Sequence, residues 1–315
     1  MTTYITGQGT IWNLPNYAGM LFTADAEATP FLSMIGGLTG GRSSENFEFP
    51  CGQTYDYPAA AQPAITETAS LTAPASPTQM ATTQITNVCQ KHHESILLSY
   101  DKLSNMGRMS GLNTAGQVNP IAAARQRQIA WKLAKISRDV EYSFLQGTYS
   151  IATTAGTYNA TRGIITACST TAIAAASAAL SKKLMDSMFK TMFDGGAVFS
   201  NTVIFVNSFQ KQAISNIYGY APTDRNVGGV NIKQIETDFG SVGIALDRFM
   251  PTDTVLAAEM SVCAPVFQMV PEKGNFFYEP LSKTGASENG QLFGYIGLDY
   301  GAEFLHGKIT GLATS

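Results

Sequence analysis

Charged side chains are scarce in this sequence. Its 315 residues include 20 Lys and Arg and 23 Asp and Glu, which together make up 14% of the chain, whereas charged residues are roughly 25% of an average soluble protein. The hydrophobic fraction of 44% suffices for the cores of about two domains, or of one large elaborated domain. So little charge is typical of a secreted protein or of one that hides much of its surface against partners. The net charge of −3 argues against a general nucleic-acid binder, which would be strongly basic.

Targeting segments and a disulfide framework are also missing. The first basic residue is Arg42, which argues against a signal peptide or a transit peptide at the N-terminus. The longest weakly polar run, residues 164–180, is mostly Ala, Ser and Thr and is too polar to span a membrane. Four cysteines lie far apart without a C-x-x-C pair, which predicts free thiols in a reducing cytosol. Surface hidden against partners is the explanation that remains for the low charge.

Residues 1–44 resemble an arm rather than an independent core. Turn formers separate isolated apolar residues, and one or two short helices are expected, with Pro30 interrupting residues 25–34. Apolar side chains on such a segment need a covering surface. The candidate contact residues here are Trp12, Leu14, Tyr17, Phe22 and Phe31.

Residues 43–90 contain no Lys or Arg, and their only charges are Glu45, Glu48, Asp56 and Glu67. Their flanks alternate apolar and polar residues as half-buried strands do, but the middle holds too many prolines for a central strand. We predict a long two-stranded excursion with a proline-rich tip, which leans on another molecule because an isolated hairpin is only marginally stable. Its candidate contact residues are Phe47, Phe49, Ile65 and Leu71.

A long helix is predicted from Pro120 to Gln146, with Asn119 as its N-cap and Gly147 as its stop. Its apolar stripe consists of Ile129, Leu133, Ile136, Val140 and Phe144. We expect its basic residues on the opposite side, as a solvated face: Arg125, Arg127, Lys132, Lys135 and Arg138. A nucleic-acid contact through Arg125, Lys132 and Lys135 is the alternative interpretation.

The C-terminal half predicts an α+β fold with a segregated antiparallel part rather than a βαβ alternation. Two helices are expected, at 181–193 with Ser181 as cap and at 208–218, on either side of a buried strand at 202–206. Further strands are predicted at 230–236, 242–246, 254–259, 262–270, 292–298 and 302–309.

Catalytic motifs are not found. Gly7 and Gly9 begin a G-x-G, but Trp12 occupies the third glycine position, and no Walker, G-x-S-x-G or H-E-x-x-H pattern occurs. His92 and His93 are adjacent in a predicted strand and would point to opposite faces, and His306 is expected to be a hydrogen-bonded structural residue. We therefore predict no catalytic residue, no cofactor-binding residue and no metal ligand, and a protein that is not an enzyme.

Several longer strings resemble the Hong Kong 97 type of tailed-phage major capsid protein, in particular its SU-ten-like podophage branch. The matching strings are 29–36 (TPFLSMIG), 62–70 (QPAITETAS), 137–145 (SRDVEYSFL), 235–240 (IETDFG), 249–253 (FMPTD), 296–301 (IGLDYG) and 306–312 (HGKITGL). The resemblance spans essentially the whole chain. It implies an N-terminal arm (1–44), an E-loop (45–98), a P-domain (99–160) with a spine helix at 120–146, an A-domain (161–251), and returning strands (252–315) with a P-loop hairpin at 283–290.

The resemblance also implies partners. Hexamers and pentamers of identical subunits would form an icosahedral head around double-stranded DNA, with a portal at one vertex, decoration proteins outside and no membrane. Lys283 and Glu288 of the P-loop would meet neighbouring subunits. The particle would be assembled in the bacterial cytoplasm, and scaffolding is expected to come from a separate protein. An encapsulin-like compartment is the alternative with the same fold, and an enzyme or a surface adhesin is a more distant one.

One departure from the family matters for the particle. In some members, the subunits of the shell are covalently crosslinked by an isopeptide bond between an E-loop lysine and an asparagine of a neighbour. Because residues 43–90 contain no lysine, we expect no such bond from this loop.

Overall fold

The computed structural model describes residues 28–57, 59–72, 80–104, 120–218, 233–283 and 285–314. These ranges form seven α-helices and thirteen β-strands. The helices are α1 Pro30–Met34, α2 Glu67–Thr72, α3 Tyr100–Ser104, α4 Pro120–Gln146, α5 Ile164–Ala167, α6 Lys182–Asp194 and α7 Ser208–Tyr218. The strands are β1 Arg42–Ser44, β2 Glu48–Asp56, β3 Ala81–Val88, β4 Gln90–Ser99, β5 Ala172–Ala174, β6 Thr202–Val206, β7 Gln234–Thr237, β8 Gly240–Leu246, β9 Val255–Glu259, β10 Ala264–Gln268, β11 Phe276–Leu281, β12 Ser287–Asp299 and β13 Gly307–Thr310.

A five-stranded sheet is built around the long strand β12. One edge of β12 pairs antiparallel with β4, and its other edge pairs antiparallel with β10 and β11 in succession. β1 adds a parallel strand outside β10. Helix α4 packs across β4 and β12. On the face of the sheet towards α4, Ile96 and Ile296 belong with Ile136 and Val140 of α4 to one buried core.

A six-stranded sheet in the order β5-β13-β9-β6-β8-β7 forms the second layer. All five residues of β9 are buried, as expected for a central strand. Helix α6 packs on β13 and β5 and contributes Met185, Met188 and Phe189 to a second core. The hydroxyl oxygen of Ser181 accepts a hydrogen bond from the backbone N–H of Leu184 and so caps α6.

The third sheet is the hairpin of β2 and β3, which pair antiparallel. A β-bulge interrupts the pairing between Cys51 and Gln53. Gly52 in the bulge has a φ of +71°, and a Cβ there would lie 2.4 Å from the carbonyl oxygen of Gly301. Glycine is required because the backbone of the hairpin approaches the body of the protein so closely.

Most of the predicted elements are confirmed. Helices α4, α6 and α7 match their predicted bounds within one residue, and the excursion is two-stranded as expected. The mixed architecture confirms the α+β class, although β6, α7 and β8 form one parallel strand–helix–strand unit that the prediction did not include. The Asn119 cap lies outside the described residues.

The strand predicted at 302–309 is wrong in its first half. Residues Glu303–Leu305 form a 3-10 turn, and only Gly307–Thr310 is a strand. The carboxylate of Glu303 accepts hydrogen bonds from the backbone N–H groups of Ser169 and Thr170. This bonding to a distant loop takes the place of strand pairing at that point.

Candidate functional site

The hairpin exposes apolar side chains beyond the Gly52 bulge. Ile65, two residues before α2, and Leu71, in its last turn, are 67% and 80% exposed, and no residue of α2 is buried. Tyr55 and Tyr57 are also exposed, with their ring centroids 5.3 Å apart. A group of exposed apolar side chains on one two-stranded element indicates an interaction site.

The hairpin has little to stabilise it within its own chain. Beyond the bulge it is two strands wide, and its cross-strand pairs are mostly polar, such as Thr54 with Thr83 and Gln53 with Gln84. Two-stranded sheets of this kind are marginal in water. It also carries no basic side chain that would resist burial, since residues 43–90 contain neither Lys nor Arg. The hairpin is therefore suited to lie on a neighbouring surface.

The predicted apolar contact residues divide into three groups. Phe31 and Phe49 must be withdrawn as exposed contacts because both are buried in the core of their own chain, where Phe31 packs edge-on against Phe205 at 5.3 Å. Phe47, Ile65 and Leu71 are exposed. Trp12, Leu14, Tyr17 and Phe22 lie outside the described residues.

Other exposed apolar residues were not predicted from the sequence. Tyr55 and Tyr57 continue the alternation of β2, which could have identified them. A second group surrounds the end of α6, where Phe193 and Val198 are exposed and Phe239 packs on Phe193 with 5.0 Å between ring centroids. No local pattern marks this second group, because α6 and the β7–β8 turn meet only in the folded chain.

Basic residues of α4 are engaged with acidic residues of the sheet. Lys132 donates a hydrogen bond to Glu94 at 2.7 Å, Lys135 donates to the other oxygen of Glu94, and Arg125 lies 3.8 Å from Glu288. Burial raises the pKa of Glu94, but the bonds from the two lysines outweigh burial and leave the pKa lowered. These basic residues are thus partly neutralised within the chain.

This arrangement corrects the expected placement of the basic face. Lys132 and Arg125 each stand four residues before an apolar stripe residue, Ile136 and Ile129 respectively. Four residues advance a helix by one turn and about 40°, so these side chains flank the stripe rather than oppose it. The stripe faces β4 and β12, and its flanks therefore reach the acidic residues on those strands.

Of the predicted P-loop residues, Lys283 lies in the turn between β11 and β12, and Glu288 lies at the start of β12. The Nζ atom of Lys283 lies 5.4 Å from the ring centroid of Tyr100, and Glu288 faces Arg125. Lys283 is exposed and Glu288 is partly exposed, so this turn projects a small polar surface next to α3.

The cysteines and the adjacent histidines His92 and His93 are the side chains that could act as nucleophiles or metal ligands. All four cysteines are buried and free, and burial raises the pKa of Cys51 and Cys89 to about 12 and that of Cys168 to about 11. Burial lowers the pKa of His92 to about 4, whereas His93 on the opposite face of β4 is exposed. No cluster of three or more metal-ligating side chains occurs within the described ranges.

His306 is buried, as the sequence led us to expect of a structural residue. Its Nε2 lies 2.6 Å from the carbonyl oxygen of Tyr300, and its Nδ1 accepts a hydrogen bond from the backbone N–H of Glu259. Within the described part of the chain, none of the helices combines the length and apolar character needed to cross a lipid bilayer.

Comparisons with known proteins concern the family and the fold of the whole chain. The family model of the SU10 major capsid protein matches residues 4–313, and no curated protein matches the sequence. The capsid protein of cyanophage A-1(L) is similar with a TM-score of 0.65 and 14% identity, over 96% of this chain and 98% of that chain. The capsid protein of the empty GTA particle has a TM-score of 0.59 and 13% identity, over 96% of both chains.

A shell protein of another kind has the same fold. The SrpI encapsulin of Synechococcus elongatus PCC 7942 is similar with a TM-score of 0.53 and 8% identity, over 95% of this chain and 94% of that chain. Identities this low show a shared fold alone.

Proposed function

The chain belongs to the SU10 major capsid protein family, and on this premise we propose that it forms the icosahedral head of a tailed phage from hexamers and pentamers around double-stranded DNA. It is a tailed-phage major capsid protein with the Hong Kong 97 fold, a structural protein of the virion and not an enzyme. Capsid proteins of this kind form shells of identical subunits. The arrangement of the subunits and the further partners are part of the proposal.

The observation that carries this proposal is the exposed hairpin. A projecting two-stranded element with exposed Tyr55, Tyr57, Ile65 and Leu71, and with no basic residue, is costly on a free monomer and well suited to a subunit interface. Burying weakly charged surface costs little desolvation. We assign this hairpin to the E-loop of the family and propose that it lies on a neighbouring subunit.

The remaining domain assignments follow the family. The arm would comprise residues 1–44, the P-domain 99–160 with its spine helix 120–146, and the A-domain 161–251. The returning strands would occupy 252–315. Strand β4 falls within the proposed E-loop range 45–98, although it pairs with β12 in the body of the protein.

The proposed subunit contacts follow from exposure. Phe47, Ile65 and Leu71 of the hairpin are exposed. Lys283 and Glu288 are the proposed contact residues of the P-loop. Trp12, Leu14, Tyr17 and Phe22 of the arm are proposed on their sequence alone. Together these residues would connect each subunit to neighbours on several sides.

The finer partner assignments remain proposals. A portal would occupy one vertex, a separate scaffolding protein would guide assembly in the bacterial cytoplasm, and decoration proteins would bind outside. A DNA-facing role for Arg125, Lys132 and Lys135 is supported by their charge, while their pairing with Glu288 and Glu94 weighs against it. Replacing Lys132 and Lys135 with Gln tests this role: a shorter packaged genome would support it, and unchanged packaging with lower subunit stability would refute it.

Electron microscopy of the purified particles tests the main proposal. We expect closed icosahedral shells with six-fold and five-fold capsomers and nuclease-protected DNA inside. Shells filled with protein cargo instead of DNA would favour the encapsulin alternative, whose fold this chain shares. A monodisperse monomer of 33.6 kDa at high protein concentration would contradict any shell function.

A further inference from the structure

Two carboxyl groups meet in the buried junction between α4 and the six-stranded sheet. Glu141 on α4 is fully buried, and Asp247, directly after β8, is 1% exposed. The junction around them is apolar, with Phe31 of α1, Phe205 of β6 and Met250 in one continuous core. Ionised carboxylates are rarely buried in such surroundings without a cation.

The hydrogen bonds at this junction leave one oxygen without a donor. Glu141 accepts from the backbone N–H groups of Phe31 at 2.8 Å and Leu32 at 2.7 Å, one on each oxygen. Oδ1 of Asp247 accepts from the N–H of Phe249 at 2.8 Å, whereas Oδ2 is buried without a hydrogen-bond partner in the described part of the chain. A hydrogen bond from a protonated Glu141 carboxyl group to Asp247 would fill that gap.

The surrounding elements supply little compensating charge. Helix α1 and strand β6 carry no ionisable side chain. On α4 the neighbouring charged residues are Lys135, Arg138 and Asp139, and the charges that act on Asp139 are those of Lys135, Glu94 and Arg138. Arg248 follows Asp247 but is exposed. The charged group that acts on Asp247 is Glu141 itself.

Protonation at neutral pH follows from this setting. Burial, reinforced by the neighbouring Asp247, raises the pKa of Glu141 from 4.5 to about 8. Burial also raises the pKa of Asp247, while its hydrogen bond from Glu141 acts in the opposite direction. Between about pH 4.5 and 8, the folded chain therefore holds a proton on Glu141 that the unfolded chain has already released. The stabilisation is complete below that range and is lost as the pH rises through it.

We propose that Glu141 and Asp247 share one proton and form a lock between the long helix and the six-stranded sheet, which opens when that proton is lost. The lock joins three segments that are distant in sequence: α1, the C-terminal part of α4 and the loop after β8. Gln146 reinforces it by donating a hydrogen bond from α4 to the carbonyl oxygen of Phe249. When both carboxyl groups are ionised, their repulsion separates α4 from the loop after β8.

Infrared spectroscopy of the full-length chain detects the proton directly. We expect the C=O stretching band of a protonated carboxyl group at about pH 7, where ordinary Asp and Glu are ionised. The band disappears at about pH 9 and, in Glu141→Gln, at any pH above about 6. In Asp247→Asn it should disappear at a lower pH than in the wild type, because Glu141 stays buried but no longer faces a second carboxyl group. Wild-type protein without such a band at neutral pH would overturn the proposal.

Thermal unfolding across the same pH range tests the consequence. In Glu141→Gln the amide donates to Asp247 permanently and retains one of the two bonds to α1. We expect this variant to unfold at a lower temperature than wild type at about pH 6 and at a higher temperature at about pH 9. Asp247→Asn, which removes one of the two charges, should also flatten the pH profile.

A matched control is Glu236→Gln, which makes the same substitution at an exposed position of β7. Its profile should follow that of the wild type. If Glu141→Gln differed from wild type by a constant offset at every pH, Glu141 would have only a packing role and the lock would be refuted.

Discussion

Removing the apolar character of the hairpin tip should weaken assembly without weakening the subunit. The proposed perturbation is the double substitution Ile65→Thr and Leu71→Gln. The threonine keeps the β-branched shape, and the glutamine keeps the helix propensity of α2. Both side chains are exposed in the single chain, and exposed substitutions usually change folding stability by less than about 0.5 kcal/mol.

The expected loss in assembly energy follows from the exposed fractions. Full burial of an Ile or Leu side chain stabilises by about 1.5–3 kcal/mol. Scaled by exposures of 67% for Ile65 and 80% for Leu71, coverage by a neighbour would contribute about 2 to 4 kcal/mol per subunit. Since each 1.4 kcal/mol corresponds to about a factor of ten, the concentration needed for assembly should rise about 30- to 1,000-fold.

Light scattering over a series of subunit concentrations measures this threshold, and urea unfolding of unassembled subunits measures folding stability. The matched control combines Ile65→Val and Leu71→Met, which keep the apolar surface and should assemble nearly as the wild type does. If the polar double variant assembled at the wild-type concentration, the hairpin tip would not be a subunit contact. If it lost folding stability, the premise that these side chains are uncovered in the monomer would be wrong.

Two further predictions concern the hairpin. Gly52→Ala and Gly37→Ala both place alanine at a left-handed φ, of +71° and +68°, which costs about 1–2 kcal/mol. Only Gly52→Ala adds a clash with Gly301, so it should be clearly the more destabilising in urea unfolding; equal losses would contradict the close approach at the bulge. Because residues 43–90 contain no lysine, purified particles boiled in denaturant should migrate as monomers on a gel, and a ladder of covalent multimers would show that another lysine forms the bond.

Both ends of helix α4 could be predicted to the residue because the signals that start and stop it lie in the adjacent sequence. Pro120 at the first position and Gly147 after the last mark its ends, and the apolar stripe repeats every three or four residues in between. The hairpin was predictable for a similar reason, since alternating flanks enclose a proline-rich middle. In both cases the signal lies within the segment itself.

Strand β11 escaped prediction because it contains Pro280, which normally argues against a strand. β11 pairs with β12 on one side only, and an edge strand tolerates proline because the missing N–H would face away from the ladder. Its position at an edge is a property of the complete sheet. No window of the sequence around Pro280 could reveal it.

The Glu141 site was also beyond sequence reasoning. A glutamate in a long, charge-bearing helix is normally solvent-exposed, and Glu141 lies just outside the apolar stripe. Its partners are about 110 residues away along the chain, at Phe31, Leu32 and Asp247. Only tertiary packing of α1 and the loop after β8 onto α4 buries it.

Charged residues are scarce in the sequence, and in the structure several of the basic side chains are paired with acidic side chains of the same subunit. The hairpin carries no basic residue at all, and on α4 the charges of Lys132 and Lys135 are met by Glu94, with Asp139 3.9 Å from Lys135. Tight DNA binding depends on basic side chains that are available to phosphates. The lysines of α4 are already paired within the subunit. We therefore expect the shell to enclose DNA without binding it tightly through this helix.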